Sequence, residues 1–111
     1  MGIVAKLIFE RQGKDYDAKL KELSNLSDIQ TVQRKANKLN LGEVYPSNRK
    51  DKKYMIQDQG AMKIVHFGHM GYSDFSKTKD LSKRKMFRNR NKKWAYAQPY
   101  SPAYLSYWLL W

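Results

Sequence analysis

The sequence predicts a single α+β domain in which short helices pack on a small sheet centred on a β-hairpin. Three observations lead to this prediction. The length of 111 residues fits one domain with one hydrophobic core. Apolar residues make up 41% of the chain and aromatic residues 14%, more apolar surface than a disordered chain leaves in water. Helical spacing of apolar residues in some segments and strand-like runs in others favour a mixed fold.

Residues 1–45 are predicted to form one strand followed by two helices. The β-branched, apolar run Gly2–Glu10 favours a short strand, although so few residues also fit a buried helical turn. A turn at residues 12–15 leads into a short helix over residues 16–26. Ser27 begins a capping-box pattern for the next helix, with an amide side chain three residues later. That helix carries an apolar stripe and stops at residues 40–42; the stripe is Ile29, Val32, Ala36 and Leu39.

The middle of the chain predicts a β-hairpin. Residues 54–56 and 62–67 are rich in strand-forming side chains and flank the turn-forming residues 58–61. We expect Gly60 to supply a positive φ in this turn. Gly68 and Gly71 bracket a tight loop after the second strand.

Two helices are predicted to complete the domain. Thr78 or Asp80 caps a helix that runs from Leu81 to about Lys92. The pair Ser101-Pro102 is typical of a helix start, and the apolar residues Leu105, Trp108 and Leu109 follow it with helical spacing.

Positive charge is the strongest functional feature. The chain has 22 Lys and Arg against 10 Asp and Glu, a formal charge of +12, and the excess is densest at residues 76–94. This density favours an anionic partner, either nucleic acid or an acidic protein surface, over a merely solvated helix. A second basic cluster precedes the hairpin and extends the patch if the fold brings the two together. The predicted contact residues are Lys83, Arg84, Lys85, Arg88, Arg90, Lys92 and Lys93, with Arg49, Lys50, Lys52 and Lys53 in the second cluster.

Residues 95–111 combine aromatic side chains with a complete lack of charge. One interpretation is a terminal helix that closes the core of the domain. The other is that an outer aromatic face docks on a partner subunit, since Trp and Tyr dominate interface hot spots. The residues proposed for such contacts are Trp94, Tyr104, Tyr107, Trp108 and Trp111. The apolar part is shorter than the roughly 20 residues that a membrane span needs.

Catalytic and metal-binding patterns are weak. The chain has no cysteine, which excludes disulfides, thiol nucleophiles and Cys-based zinc sites. His66 and His69, with Asp74 nearby, form only a low-ranked metal set, because a zinc site needs three ligands in a held geometry. We therefore expect no cofactor and a protein that is not an enzyme.

Several short motifs occur in order within residues 46–111. They are Pro46-Ser47-x-Arg49-Lys50-x-Lys52-Lys53-Tyr54, Val65-His66-Phe67-Gly68-x-x-Gly71-Tyr72-x-Asp74-Phe75-Ser76, Lys79-Asp80, Pro99-Tyr100-Ser101-Pro102 and Leu109-Leu110-Trp111. In these motifs the chain resembles a family of short uncharacterised proteins from large DNA viruses of protists. Family members often carry a histidine where this chain has Thr78, which weakens any His-based role here. The resemblance implies a viral origin without a known reaction, and residues 1–45 have no counterpart in it.

The viral origin that the resemblance implies sets the order of three function hypotheses. The first is a minor virion component that cements capsid proteins through its basic helix and aromatic C-terminus, in an oligomeric assembly. It places the protein in the virion, and in the host cytoplasm during assembly. The second is an accessory nucleic-acid-binding protein in which Trp94 or Tyr72 stacks on a base. The distant third is a small metal-dependent nuclease that uses His66, His69 and Asp74.

Overall fold

The computed structural model describes the backbone of residues 2–111 and the side chains from residue 5 onward. Met1, which the one-domain prediction included, lies outside the described residues. The elements, in chain order, are α1 (Gly2–Arg11), α2 (Tyr16–Ser24), α3 (Ile29–Lys38), β1 (Val44–Pro46), β2 (Lys52–Asp58), β3 (Lys63–His69), α4 (Phe75–Thr78), α5 (Leu81–Arg90), a 3-10 helix (Lys92–Tyr96), α6 (Pro102–Leu105) and a π-helical turn (Ser106–Leu110).

The three strands form one antiparallel meander in the order β1-β2-β3. Pro46 pairs with Tyr54, Tyr54 pairs with Phe67, and Lys52 pairs with His69. Four consecutive residues of the central strand β2, from Lys53 onward, are buried, so both of its faces are covered. This architecture confirms the predicted α+β class and the hairpin at its centre.

Two apolar clusters lie on the sheet. The smaller cluster consists of Ala5, Phe9, Tyr16 and Met55. The larger one packs α3 and the C-terminal segment against the strands, and its buried members are Leu23, Val32, Ala36, Leu41, Val44, Tyr54, Ile56, Phe67, Leu105, Leu109 and Leu110. The C-terminal residues therefore close the core, as the first of the two interpretations expected.

The strand predicted at residues 2–10 is wrong, because this segment forms α1. Ala5 and Phe9 stand four residues apart and are both buried, which is the spacing of one helix face. The Phe9 ring meets the Tyr16 ring edge-on, with 5.3 Å between centroids. This packing on α2 and the sheet outweighs the weak strand preference of the β-branched residues.

The start of α3 is one residue later than the capping box predicted. Its N-cap is Asp28, whose carboxylate accepts the N–H of Gln30 (3.2 Å) and the hydroxyl of Thr31 (2.9 Å). Ser27 instead turns inward and is buried. The predicted stop is confirmed, since Asn40 has a φ of 56° directly after the helix.

The hairpin turn differs from the prediction in one torsion. The positive φ falls on Met62 (54°) and not on Gly60. Asp58 Oδ1 accepts the N–H groups of Gly60 (3.0 Å) and Ala61 (3.2 Å). These hydrogen bonds hold the turn without a positive φ until Met62, where the backbone becomes left-handed. The Met62 N–H then donates to the carbonyl of Asp58 at 2.7 Å.

Met62→Gly is expected to raise the free energy of unfolding by about 0.5–1 kcal/mol, because glycine removes the left-handed strain at the cost of some added chain entropy. Ala61→Gly, at a position without positive φ, is the matched control and should lower it by a similar amount. Urea denaturation of both variants checks the difference. Destabilisation by Met62→Gly would contradict this description of the turn.

The C-terminal segment begins as predicted. The Ser101 hydroxyl caps α6 by accepting the N–H of Tyr104 at 3.2 Å, and Pro102 occupies the first turn. Leu110 packs closely over Gly68, whose φ is +79°; a Cβ built there would lie 2.9 Å from Leu110 Cδ1. Gly68 is therefore required both by its backbone torsion and by the close approach of the C-terminus.

Candidate functional site

A buried polar network joins strand β2 to the segment that follows β3. Lys53 Nζ and Asp74 Oδ2 form an ion pair at 3.0 Å, with side chains 3% and 0% exposed. Asp74 Oδ1 accepts the Ser76 N–H at 3.0 Å and also the Ser76 hydroxyl. The hydroxyl oxygens of Ser76 and Ser27 lie 3.0 Å apart, and the Tyr54 hydroxyl donates to Ser27 Oγ at 2.6 Å. Burial raises the pKa of Tyr54 and keeps its hydroxyl in the neutral donor form.

This network connects the loop between β3 and α4 to the loop between α2 and α3. The Asp74 N–H donates to the carbonyl of Leu26 at 3.0 Å, and the Asp28 N–H donates to Ser76 Oγ at 2.9 Å. Burial lowers the pKa of Lys53, while Asp74 acts in the opposite direction and favours the charged ammonium. The arrangement fixes the segment after β3 with respect to the rest of the domain.

A groove of about 970 Å³ opens between the end of the hairpin and helix α5. The start of β2, the end of β3 and the loop after it line one side, here called the hairpin wall; α5 and the 3-10 helix line the α5 wall; and the C-terminal segment also contributes to the lining. The residues that line it are Lys52, Lys53, Phe67, Gly68, His69, Gly71, Tyr72, Ser73, Lys83, Met86, Phe87, Arg90, Trp94, Pro102, Ala103, Ser106, Leu110 and Trp111.

The charge of this groove has one sign. Lys52 lies on the hairpin wall, and Lys83 and Arg90 lie on the α5 wall, seven residues and thus about two turns apart. Lys53 also lines the groove, but its charge is neutralised by Asp74. In the described part of the chain no Asp or Glu lines the groove. The site therefore favours an anionic ligand.

Aromatic rings occupy both walls of the groove. Tyr72, 67% exposed, lies on the hairpin side and approaches the His69 ring with centroids 5.2 Å apart. Trp94, 37% exposed, lies on the α5 wall and meets the Phe87 ring edge-on at 5.8 Å. Phe87 in turn stacks on Trp111, with centroids 4.6 Å apart and planes at 10°. Flat ligands such as nucleobases can stack on such exposed rings.

Helix α5 distributes its basic residues over different faces. The predicted residues Lys83 and Arg90 face the groove. Arg84 and Arg88 point elsewhere, over the rings of Phe75 (4.8 Å) and Tyr107 (5.3 Å) respectively. The remaining predicted residues of this segment, Lys85, Lys92 and Lys93, are exposed outside the groove. Asp80 caps the helix through the Lys83 N–H, as one of the two predicted caps.

The second basic cluster is divided by the fold. Lys52 joins the groove, whereas Arg49 and Lys50 are exposed in the preceding loop. The loop is held by Lys19, whose Nζ donates to the carbonyls of Arg49 (2.7 Å) and Lys52 (2.5 Å). Lys53 does not belong to the exposed patch that the sequence predicted, because it is 2% exposed and paired with Asp74.

Most of the aromatic residues that were predicted to contact a partner pack within the domain itself. Tyr104 and Trp111 pack against the larger core cluster. The Trp108 Nε1–H donates to the Ala95 carbonyl at 3.2 Å, and its ring lies 5.1 Å from that of Tyr107. All four of these side chains are half-buried, and only Trp94 of the predicted set is exposed.

Tyr96 is not among the predicted contact residues, yet it is 92% exposed and is the most exposed aromatic side chain of the described residues. Its position in an uncharged segment gave no signal, because the exposure depends on how the 3-10 helix packs.

The three residues of the low-ranked metal set do not come together. His66 and His69 are three residues apart in β3 and so lie on opposite faces of the sheet. Asp74 is occupied by Lys53 and Ser76. Among the described residues no group of three potential ligands is placed to hold a metal ion.

Residues 42–91 match the model of a family of unknown function (DUF5754). The match covers the sheet, α4 and α5, and so includes the hairpin wall and the α5 part of the other wall, whereas the 3-10 helix with Trp94 lies beyond it. No curated protein and no solved structure matches the chain. Among residues 2–111 there is no helix of the length and apolarity needed to cross a membrane.

His66 lies outside the groove and is expected to make the fold sensitive to mild acid. Its Nδ1 is 2.7 Å from the hydroxyl of buried Ser47, which also accepts the Arg49 N–H at 3.0 Å, so a neutral ring with Nδ1 as acceptor satisfies both contacts. Burial, followed by the charges of Arg49 and Lys19, lowers the pKa of His66.

Because the folded pKa of His66 is the lower one, the unfolded chain takes up a proton first as the pH falls. The free energy of unfolding should therefore decrease as the pH falls below about 6.5, the ordinary value for histidine. Urea denaturation at pH 7.5, 6.5 and 5.5 measures the decrease, and His66→Gln should make it smaller. An equally steep decrease in that variant would contradict the assignment.

Proposed function

We propose that the protein is a non-enzymatic nucleic-acid-binding protein and that single-stranded nucleic acid lies in the groove between β3 and α5. The observation that carries the proposal is the composition of this groove. Three uncompensated cations, Lys52, Lys83 and Arg90, line it together with the exposed rings of Tyr72 and Trp94, and no described acidic residue does. Cations that follow a backbone and rings that stack on bases are the two components of single-strand recognition.

A single strand fits this site better than a duplex. The rings of Tyr72 and Trp94 lie within a concave groove, where they reach only bases that are turned out of a helix. The exposed cations of α5 outside the groove supply general attraction to phosphates, since counterion release does not depend on sequence. Such a protein is expected to bind many sequences with similar affinity.

The test is fluorescence anisotropy of a labelled single-stranded oligonucleotide and of the matching duplex, titrated with protein from low to physiological salt and above. We expect the single strand to bind more tightly than the duplex, with an affinity that persists at physiological salt and falls steeply as salt increases. Binding of neither ligand at physiological salt would refute the proposal. Equal binding of both would refute the stacking role of the groove.

A second candidate is the minor virion component, and the exposed apolar surface favours it. Leu81 and Met86 of α5 are 68% and 56% exposed, and Tyr96 is nearly fully exposed. The groove uses only Met86 of these residues. Exposed apolar side chains beside positive charge are suited to an acidic seam between capsid proteins. A capsid component should sediment with purified particles and stay with the shell after the genome is removed, whereas loss together with the genome would favour the nucleic-acid proposal.

A further inference from the structure

Two side chains from neighbouring strands meet on the hairpin wall of the groove. Lys52 of β2 and His69 of β3 are register partners in the antiparallel pair. Side chains of directly opposite residues project from the same face of a sheet, with Cβ atoms about 4.5–5.5 Å apart. Both residues line the groove, where Lys52 is half-buried and His69 is exposed. One ligand in the groove can therefore contact both side chains.

The turn after β3 holds the His69 ring in one orientation. The Gly71 N–H donates to His69 Nδ1 at 2.8 Å. A Cβ built on Gly71 would lie 2.8 Å from two ring atoms of His69, so any larger residue at position 71 would displace the ring. Since Nδ1 accepts this hydrogen bond, the proton of the neutral ring is on Nε2. His69 therefore offers an Nε2–H donor to a ligand, and the donor carries no charge.

Lys52 adds a positive charge beside this donor. Its backbone carbonyl accepts a hydrogen bond from Lys19 Nζ, which fixes the start of β2. The ion pair found among the described side chains, Lys53–Asp74, does not include Lys52. Asp51, its acidic neighbour in sequence, does not line the groove. An uncompensated ammonium next to a fixed N–H donor is suited to the oxygen atoms of a phosphate group.

An aromatic platform lies next to this pair on the same wall. The Tyr72 and His69 rings have centroids 5.2 Å apart and planes tilted by 43°. Tyr72 is 67% exposed, so a nucleobase can stack on its open face. A base in that position brings the phosphate of the same nucleotide close to His69 and Lys52. The wall thus holds a stacking ring for a base and two donors for its phosphate.

We propose that the hairpin wall is a subsite for one nucleotide, with the base on Tyr72 and a phosphate oxygen bound by Lys52 Nζ and His69 Nε2–H. The inference rests on the proposed function, because it places one unit of the bound strand at one wall of the same groove. It also assigns to His69 a role in binding that is separate from the low-ranked metal set. The ligand class is a nucleoside that carries a phosphate group, either as a unit of a strand or as a free nucleotide.

The test is the affinity for a labelled single-stranded oligonucleotide at about pH 8.5, where histidine is ordinarily uncharged. We expect H69N to weaken binding about 3- to 10-fold, the range for one lost hydrogen bond. Asparagine can still accept the Gly71 N–H, as Asp58 accepts the Gly60 N–H two residues later in this chain, so the turn should persist. H69Q is the matched variant, because its longer amide retains a donor near the Nε2 position, and it should bind within about twofold of the wild-type protein.

The salt dependence separates His69 from Lys52. K52Q should reduce the slope of log affinity against log salt by about 0.7, since it removes one charged contact with a phosphate. H69N should leave the slope unchanged, because an uncharged donor releases no counterion. An effect of H69N below about twofold, an equal loss in H69Q, or a smaller slope in H69N would each overturn the subsite while the proposed function stands. Absence of wild-type binding would instead refute the proposed function and, with it, this inference.

Competition on the wild-type protein gives a second test that needs no variant. A nucleoside monophosphate should displace the labelled strand at a lower concentration than either the nucleoside or inorganic phosphate at matched ionic strength, because it alone fills both parts of the subsite. Equal potency of the monophosphate and the nucleoside, or no displacement by any of the three, would overturn the subsite. Weaker binding of the monophosphate than of the strand assigns the subsite to a strand, whereas binding as tight as that of the strand assigns it to a free nucleotide.

Discussion

Asp74→Asn should lower the free energy of unfolding by about 3–5 kcal/mol, because it leaves the buried Lys53 ammonium without its counterion. Asparagine retains the side-chain oxygen that accepts the Ser76 N–H and so preserves the cap of α4. The substitution thus removes the charge with little change in shape. Chemical denaturation monitored by tryptophan fluorescence measures the loss.

Two variants test the cause of this loss. Asp80→Asn makes the same change at the N-cap of α5, outside the buried network, and should cost little because asparagine caps a helix about as well as aspartate. Lys53→Met in the Asp74→Asn background removes the uncompensated charge and should recover part of the stability. A loss below about 1 kcal/mol in Asp74→Asn, or no recovery in the double variant, would contradict the ion pair as the central contact of the network.

Trp94→Ala is expected to weaken the binding of single-stranded oligonucleotides about 5- to 150-fold, the range that corresponds to the stacking of one base on an aromatic side chain. Trp94 is exposed on the α5 side of the groove, so its removal should take away this contact with little effect on the core. Anisotropy titrations at physiological salt measure the change.

Tyr96→Ala is the matched control, because Tyr96 is 92% exposed and does not line the groove. Its removal should leave the affinity unchanged within about twofold. Equal losses for both variants would indicate general surface adhesion, and no loss for Trp94→Ala would exclude the ring as a stacking platform.

Local patterns in the sequence predicted most of the fold. Asp80 before α5, Ser101-Pro102 before α6 and the turn residues after β2 each act through contacts with near neighbours, which a sequence displays directly. The failure at α1 has the opposite cause. The segment of Ala5 and Phe9 is helical because these residues pack on Met55, which is separated from them in sequence by about half of the chain.

The candidate site was predicted only in part for the same reason. Lys83, Arg90 and Trp94 belong to the basic segment and were expected to bind an anionic partner, whereas their proximity to Lys52 depends on how α5 returns to the hairpin. Lys53 differs from its neighbour Lys52 only in where it points, and its partner Asp74 is 21 residues away. Such long-range pairs cannot be derived from spacing along the chain.

Lys35 shows the limit most clearly. Nothing near it in α3 indicates that its side chain is half-buried beside an arginine of α5, since it is one of two lysines in a helix with an ordinary apolar stripe. Arg84, which approaches the same Phe75 ring as Lys35, belongs to α5 and is far from Lys35 along the chain. The fold thus separates one continuous basic segment into a groove-facing set and a second cluster with α3.

The most direct test of the proposed function is the salt dependence of single-strand binding in K83Q/R90Q and in K85Q/K93Q, which carry the same net charge. The slope of log affinity against log salt should fall by about 1.4 in K83Q/R90Q, from about 0.7 for each lost phosphate contact, with a matching loss of affinity. K85Q/K93Q should retain a slope close to that of the wild-type protein. Equal slopes in the two variants would contradict the groove as the binding site and would reduce the interaction to the overall charge of the protein.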